Sequence, residues 1–313
     1  MFSFICSSRL LKKGFFVALF LFLYFVPTQA YAELEFLAYG IEISGESPIC
    51  NQGTKTQYCE EMADALDFII SQWNWDLADT RYCNPYSGPI DSTIFVDDSL
   101  FWWGDDDDGY AGVDSVDVAF WCTHGEYMCN DTYNMYYSRM DPGKGITEEM
   151  PYSCFVQMGM YHGDGVYSFD LGSGGGNEEV KILIANSCHS LQRCAWWKSA
   201  YQNIFNESGD SFAMLGYHGA AWDKTIIIED LEDFATNSRD NYLGDNWLDY
   251  LYHTPRGADN DSCPVVYIEA TSSSDAQYKF LWAGLEDWKD PGNHSHMSFW
   301  YISPCKPDNG QSL

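Results

Sequence analysis

Basic residues are scarce in this sequence: 16 Lys and Arg stand against 46 Asp and Glu in 313 residues, a formal charge of −30. That deficit excludes recognition of nucleic acid through its phosphates, which needs clustered cations, and it opposes docking on anionic membranes. Also missing is any long apolar run after residue 26, so no later segment is a predicted transmembrane helix. No Pro- or Ser-rich linker and no repeat of fixed period divides the chain, which argues for one large domain. A hydrophobic content of 46% with 12 Trp excludes disorder as the meaning of the charge.

The N-terminus has a distinct character. Arg9, Lys12 and Lys13 precede an apolar run over 15–26, a turn at Pro27 and the small-x-small triplet Ala30-Tyr31-Ala32. This is the pattern of a cleavable secretory signal over 1–32, leaving 33–313 as the exported part. An uncleaved anchor is the alternative, but the run is short for a bilayer. The expected location is secreted or periplasmic, with no stable membrane insertion after cleavage. The remaining 281 residues carry 13 cations against 46 acids, a formal charge of −33 that suits cationic substrates, divalent ions or simple solubility.

Of 11 cysteines, Cys6 leaves with the signal, and ten remain to form disulfides in an oxidising compartment. Hydrophobic periodicity predicts strands near 33–43, 94–96, 113–121, 167–171, 180–185, 211–217, 265–269 and 298–302. It predicts helices over 57–73, 195–205, 226–235 and 246–253. Alternating strands and helices make this an α/β chain with a mostly parallel sheet, whose ligands sit beyond the carboxyl ends of the strands.

Two predicted strand ends carry reactive residues. The strand ending at Trp121 leads into His124-Gly125, and the strand 180–185 leads into Asn186-Ser187-Cys188-His189-Ser190. As parallel neighbours, these strands would bring out His124 and Cys188 at one edge of the sheet. An imidazole beside a thiol makes a nucleophile with its acid/base partner. The amides of Gly125 and Cys188 are the expected oxyanion donors. Asn186, His189 and His218 are candidate pocket residues.

An apolar strand ending in His-Gly, followed by an apolar strand ending in Cys, resembles the caspase-like cysteine peptidases, which include caspases, metacaspases, legumains, gingipains and clostripain. The segment 182–190 looks most like the metacaspase cysteine segment. The layout is also similar to a bacterial family of secreted proteins of unknown function. The resemblance spans 114–217, about a third of the chain. It implies a three-layer sandwich with helices flanking a mostly parallel sheet, a Cys188–His124 dyad, a peptide or protein substrate and no required cofactor. Three positions depart from the metacaspase pattern: Asn186 replaces an Asp that helps form a pocket for Arg or Lys, Leu191 a Gly, and Thr123 the usual Gly or Ser.

Other readings stay open. Cys188 would be half of a disulfide with Cys194 or Cys122 if all ten exported cysteines pair, leaving a non-catalytic binding domain. His162-Gly163 and His218-Gly219 are further His-Gly pairs. Asp105, Asp106, Asp107 and Asp108 are candidate Ca²⁺ ligands, although Gly104 in the first ligand position rules out an EF-hand and a solvated acidic turn is the alternative. His294 and His296, at strand alternation, could form part of a zinc site, and a metal-dependent hydrolase using His294, His296 or His218 is a third reading, with surface histidines as the alternative.

Overall fold

Residues 57–73 place Met62, Leu66, Ile69, Ile70 and Trp73 at helical spacing, and they form helix α1 (Cys59–Ile70), followed by a 3₁₀ turn at Ser71–Trp73. Its buried face seats Met62, Ala63, Leu66 and Ile70 against the first strand, β1 (Glu35–Ile41). The approach is close: a Cβ on Gly40 would lie 2.8 Å from the Cys59 carbonyl oxygen, so only glycine admits the helix there.

In the computed structural model the described residues are 34–41, 56–73, 75, 77–83, 112–130, 135–141, 156–158, 167–169, 180–191, 211–254, 261–286, 296–303 and 305–306. All fall within one compact unit, Leu34–Leu313. The signal segment 1–32, the strand expected at 94–96, the aspartates 105–108, His162, Cys194, the helix expected at 195–205 and His294 lie outside them.

The main sheet has seven strands among the described residues. After β1 come β2 (Leu77–Cys83), β3 (Val118–Cys122), β8 (Ile182–Asn186), β9 (Ala213–Tyr217), β10 (Pro264–Ala270) and β11 (His296–Tyr301). Their order is β11-β10-β9-β8-β3-β1-β2. The five strands from β2 to β9 run parallel, and β10 is antiparallel to both its neighbours. The fold is therefore α/β with a mostly parallel sheet. Between β3 and β8 the chain builds a second sheet, β4 (His124–Asn130), β5 (Met135–Asp141), β6 (Val156–Met158) and β7 (Tyr167–Phe169), in sequential order.

Helices α2 (Thr225–Asn237), α3 (Leu243–Leu251) and α4 (Ser273–Trp282) join α1 in one core with Phe36, Val118, Phe120, Ile184, Leu215 and Ile268. The alternate residues Leu37, Tyr39, Trp121, Leu183 and Tyr267 are equally buried on the other face. Burial on both faces explains why these strands read as unbroken apolar runs, each large side chain contributing about 1.5–3 kcal/mol. Among the described residues two disulfides brace the unit, Cys59–Cys122 and Cys263–Cys305, spanning 63 and 42 residues. Loops of that length correspond to roughly 4 kcal/mol each.

Some boundaries differ from expectation. The strand predicted from 113 starts only at Val118, because Val113–Ser115 is a 3₁₀ turn in which the Ser115 hydroxyl donates to the Gly112 carbonyl at 2.8 Å. Three elements have no counterpart in the periodicity: β2, the β4–β6 meander and α4. Helix α4 did carry a signal, Ser272 with Asp275 three residues on, and the Ser272 hydroxyl accepts from the Asp275 N–H at 3.2 Å.

Candidate active site at the carboxyl edge of the sheet

Strands β3 and β8 are adjacent and parallel, with Val118 opposite Ile182 and Cys122 opposite Asn186. The pairing persists one residue further, since the Thr123 N–H donates to the Asn186 carbonyl at 3.4 Å. Cys122–Asn186 is the last register pair of β3 and β8, and His124 and Cys188 each follow it by two residues. His124 is not in a loop, as the abrupt strand end suggested. It opens β4, with Asp141 as its register partner on β5.

The backbone of Gly125 lies directly against Cys188. A Cβ there would stand 2.8 Å from the Cys188 nitrogen and closer still to its carbonyl, so no other residue fits without displacing one strand end. Sequence reading valued this glycine for an unobstructed amide; its tertiary role is close approach of two chains.

The turn 187–191 is fixed by β9 and the residues beyond it. The His189 N–H donates to the Gly219 carbonyl at 2.7 Å, and the Leu191 N–H to the Tyr217 carbonyl at 2.9 Å. The Ser190 hydroxyl donates to the Ala185 carbonyl (3.2 Å) and accepts from the Tyr217 N–H (3.0 Å). These bonds hold His189 at φ 59°, a left-handed conformation that costs a non-glycine residue about 1–2 kcal/mol. His189 is buried.

Cys188 is a half-buried thiol whose Sγ lies 3.7 Å from the Ala221 carbonyl oxygen. The disulfide to Cys122 that remained open from the sequence is not formed, because Cys122 bonds Cys59. Asn186 lies buried on the helical face, its amide donating to Met62 Sδ (3.0 Å) and Cys122 Sγ (3.4 Å). His218 is fully buried after β9, and its N–H donates to the Cys263 carbonyl at 2.9 Å.

Asn186 Oδ1, Ser187 Oγ and Tyr217 Oη are buried around this edge with no hydrogen-bond partner among the described residues. Burial pushes the Tyr217 hydroxyl well above the ordinary tyrosine range, with the charges of Asp230 and Cys188 acting in the same sense. It therefore stays protonated and able to donate.

A neighbouring cluster escaped sequence reading. The Trp222 ring stacks on His253 at 5.2 Å between centroids, and the Lys224 ammonium sits 3.9 Å from the Trp222 ring centre. His253 Nε2 lies 2.7 Å from Asp230 Oδ2. Burial nonetheless lifts the Asp230 carboxyl above its usual range against the pull of His253. Asp223 accepts the N–H groups of Gln57 (2.5 Å) and Tyr58 (2.9 Å), at the start of α1. No linear spacing signals contacts across 165 residues.

Of the histidines proposed for metal, His218 and His296 are not brought together. His296 begins β11 at the amino edge, three strands from β8, with Nε2 3.0 Å from the Ser298 hydroxyl, whereas His218 follows β9 at the carboxyl edge. Among the described residues no group of three His, Cys, Asp or Glu could hold a metal ion, and no helix is long and apolar enough to cross a membrane. No protein-family model, curated protein or solved structure matches this chain.

Proposed function

We propose that this chain is an exported cysteine-type hydrolase of caspase-like design that cleaves peptide bonds. The observation that carries the reading is the seat of Cys188: a thiol just past the end of β8, against the backbone of Gly125, which with His124 opens β4 two residues past the adjacent parallel strand β3. In the proposed reaction His124 takes the thiol proton and Cys188 Sγ attacks the amide carbonyl carbon. The amides of Gly125 and Cys188 donate to the oxyanion. His124 then gives its proton to the departing amine, and water hydrolyses the thioester to restore the thiol. The strand order adds support, because the chain runs from β1 to β2 on one side and places β3 on the other. Ligands in such sheets sit beyond the carboxyl ends near that reversal.

The test is alkylation of the full chain by iodoacetamide, mapped by mass spectrometry across pH. Cys188 should react fast near neutral pH. His124→Ala should move its midpoint up toward the ordinary thiol value of about 8.5. A Cys188 recovered in a disulfide, or an unchanged profile in His124→Ala, would sink the reading.

A further inference from the structure

A continuous circuit of contacts surrounds Cys188. Its thiol faces the Ala221 carbonyl, and two residues on, Asp223 holds the N–H groups of Gln57 and Tyr58. Cys59 follows at once and is disulfide-bonded to Cys122. Cys122 lies two residues before His124, and Gly125 closes the circuit against the Cys188 backbone. Tyr58, at the N-cap of α1, has no side-chain cap of its own. The Asp223 carboxylate supplies acceptors there from another part of the chain, at the electropositive end of the helix. The helix is thus joined covalently to the His124–Gly125 arm and by two hydrogen bonds to the segment that faces the thiol.

We propose that the Cys59–Cys122 disulfide and Asp223 are positioning elements that hold the His124–Gly125 arm in register with Cys188. The inference rests on the Cys188–His124 reading. It goes beyond it by making one dyad dependent on a disulfide and a carboxylate that do not react. At the β3–β4 junction the Thr123 N–H bond to the Asn186 carbonyl carries the register with β8 one residue past the ladder. The disulfide ties down the last residue of β3.

The molecule contains its own control. Cys263–Cys305 closes a loop of similar size, so removing either bond should lower stability comparably. Three full-length variants are compared: Cys59→Ala/Cys122→Ala, Cys263→Ala/Cys305→Ala, and Asp223→Ala. Two readouts apply to each, the pH profile of Cys188 alkylation by iodoacetamide and hydrogen exchange over 120–125. Cys59→Ala/Cys122→Ala should move the alkylation midpoint upward and speed exchange by about ten-fold or more, a local opening. Asp223→Ala, which retains both disulfides, should act in the same sense but more weakly, and it keeps the test alive if the double variant fails to fold. Cys263→Ala/Cys305→Ala should leave both readouts as in the parent. Equal effects of the two disulfides, or no effect of Cys59→Ala/Cys122→Ala in a folded chain, would overturn the proposal. If His124→Ala leaves the alkylation profile unchanged, the dyad itself has failed, while exchange over 120–125 still judges the clamp.

Discussion

At the amino ends of β3 and β8, the buried Asp117 is bonded through both carboxylate oxygens and its carbonyl. Asp117 Oδ1 lies 2.7 Å from Lys181 Nζ, its Oδ2 accepts from the Glu35 N–H at 2.9 Å, and its carbonyl accepts from Lys181 and Ile182. The Ser211 hydroxyl donates to the Val180 carbonyl at 2.5 Å. At the carboxyl edge of the same strands, Asn186, Ser187 and Tyr217 bury oxygens that have no hydrogen-bond partner among the described residues. Unsatisfied buried groups of this kind cost about 1–3 kcal/mol each, and native folds keep few of them. One edge is built to hold the sheet together. The other leaves hydrogen-bonding capacity unspent beside a thiol, as a ligand site would.

Four substitutions would break or sharpen this contrast, the largest effect first. Lys181→Met should cost about 3–5 kcal/mol in urea unfolding, because it strands the Asp117 carboxylate in the interior. Its Cys188 alkylation profile should match the parent wherever the chain is folded. Gly125→Ala should cost about 1–3 kcal/mol, the range for forcing a methyl into filled space, and should change the rate of Cys188 alkylation as the strand ends part. Ser211→Ala should lower stability by roughly 0.5–1.5 kcal/mol through the lost bond at the amino edge. Tyr217→Phe should be near neutral, within about 0.5 kcal/mol, since it removes a hydroxyl that has no partner to lose. A destabilisation of Tyr217→Phe as large as that of Ser211→Ala would erase the distinction between the edges.

The acidity of Tyr217 adds a pH test with a definite sign. Its folded-state pKa is raised, so above the unfolded value of about 10 the folded chain binds the proton more tightly than the unfolded chain. The parent should therefore lose stability as pH rises through that range, and Tyr217→Phe should lose less. Denaturation midpoints at pH 8 and pH 11 for both chains measure the difference; equal losses would refute the assignment.

Periodicity found the elements that bury large apolar side chains regularly: β1, α1, β8, β9, α2 and β10. It missed β2, whose Ala78, Asp79, Thr80 and Arg81 are only half-buried, and α4, which presents Tyr278 and Trp282 to solvent. The placement of His124 and Cys188 just beyond adjacent strand ends was legible because His-Gly and Cys each follow an apolar run, and those runs pair in parallel. Three features near Cys188 were not legible, because each joins distant segments: Asp223 at the N-cap of α1, His253 between Trp222 and Asp230, and Cys59 as the partner of Cys122.

The sequence by itself determined that strands and helices alternate, which strands are buried on both faces, and which residue types stand at their ends, since these depend on neighbours along the chain. Only the tertiary structure decided the register in which β3 and β8 pair, Cys122 opposite Asn186, and that Gly125 lies against the Cys188 backbone. It alone spent Cys122 on Cys59 and left Cys188 a thiol. Register, close approach and disulfide choice are properties of segments that meet in space, and no spacing within one segment encodes its partner.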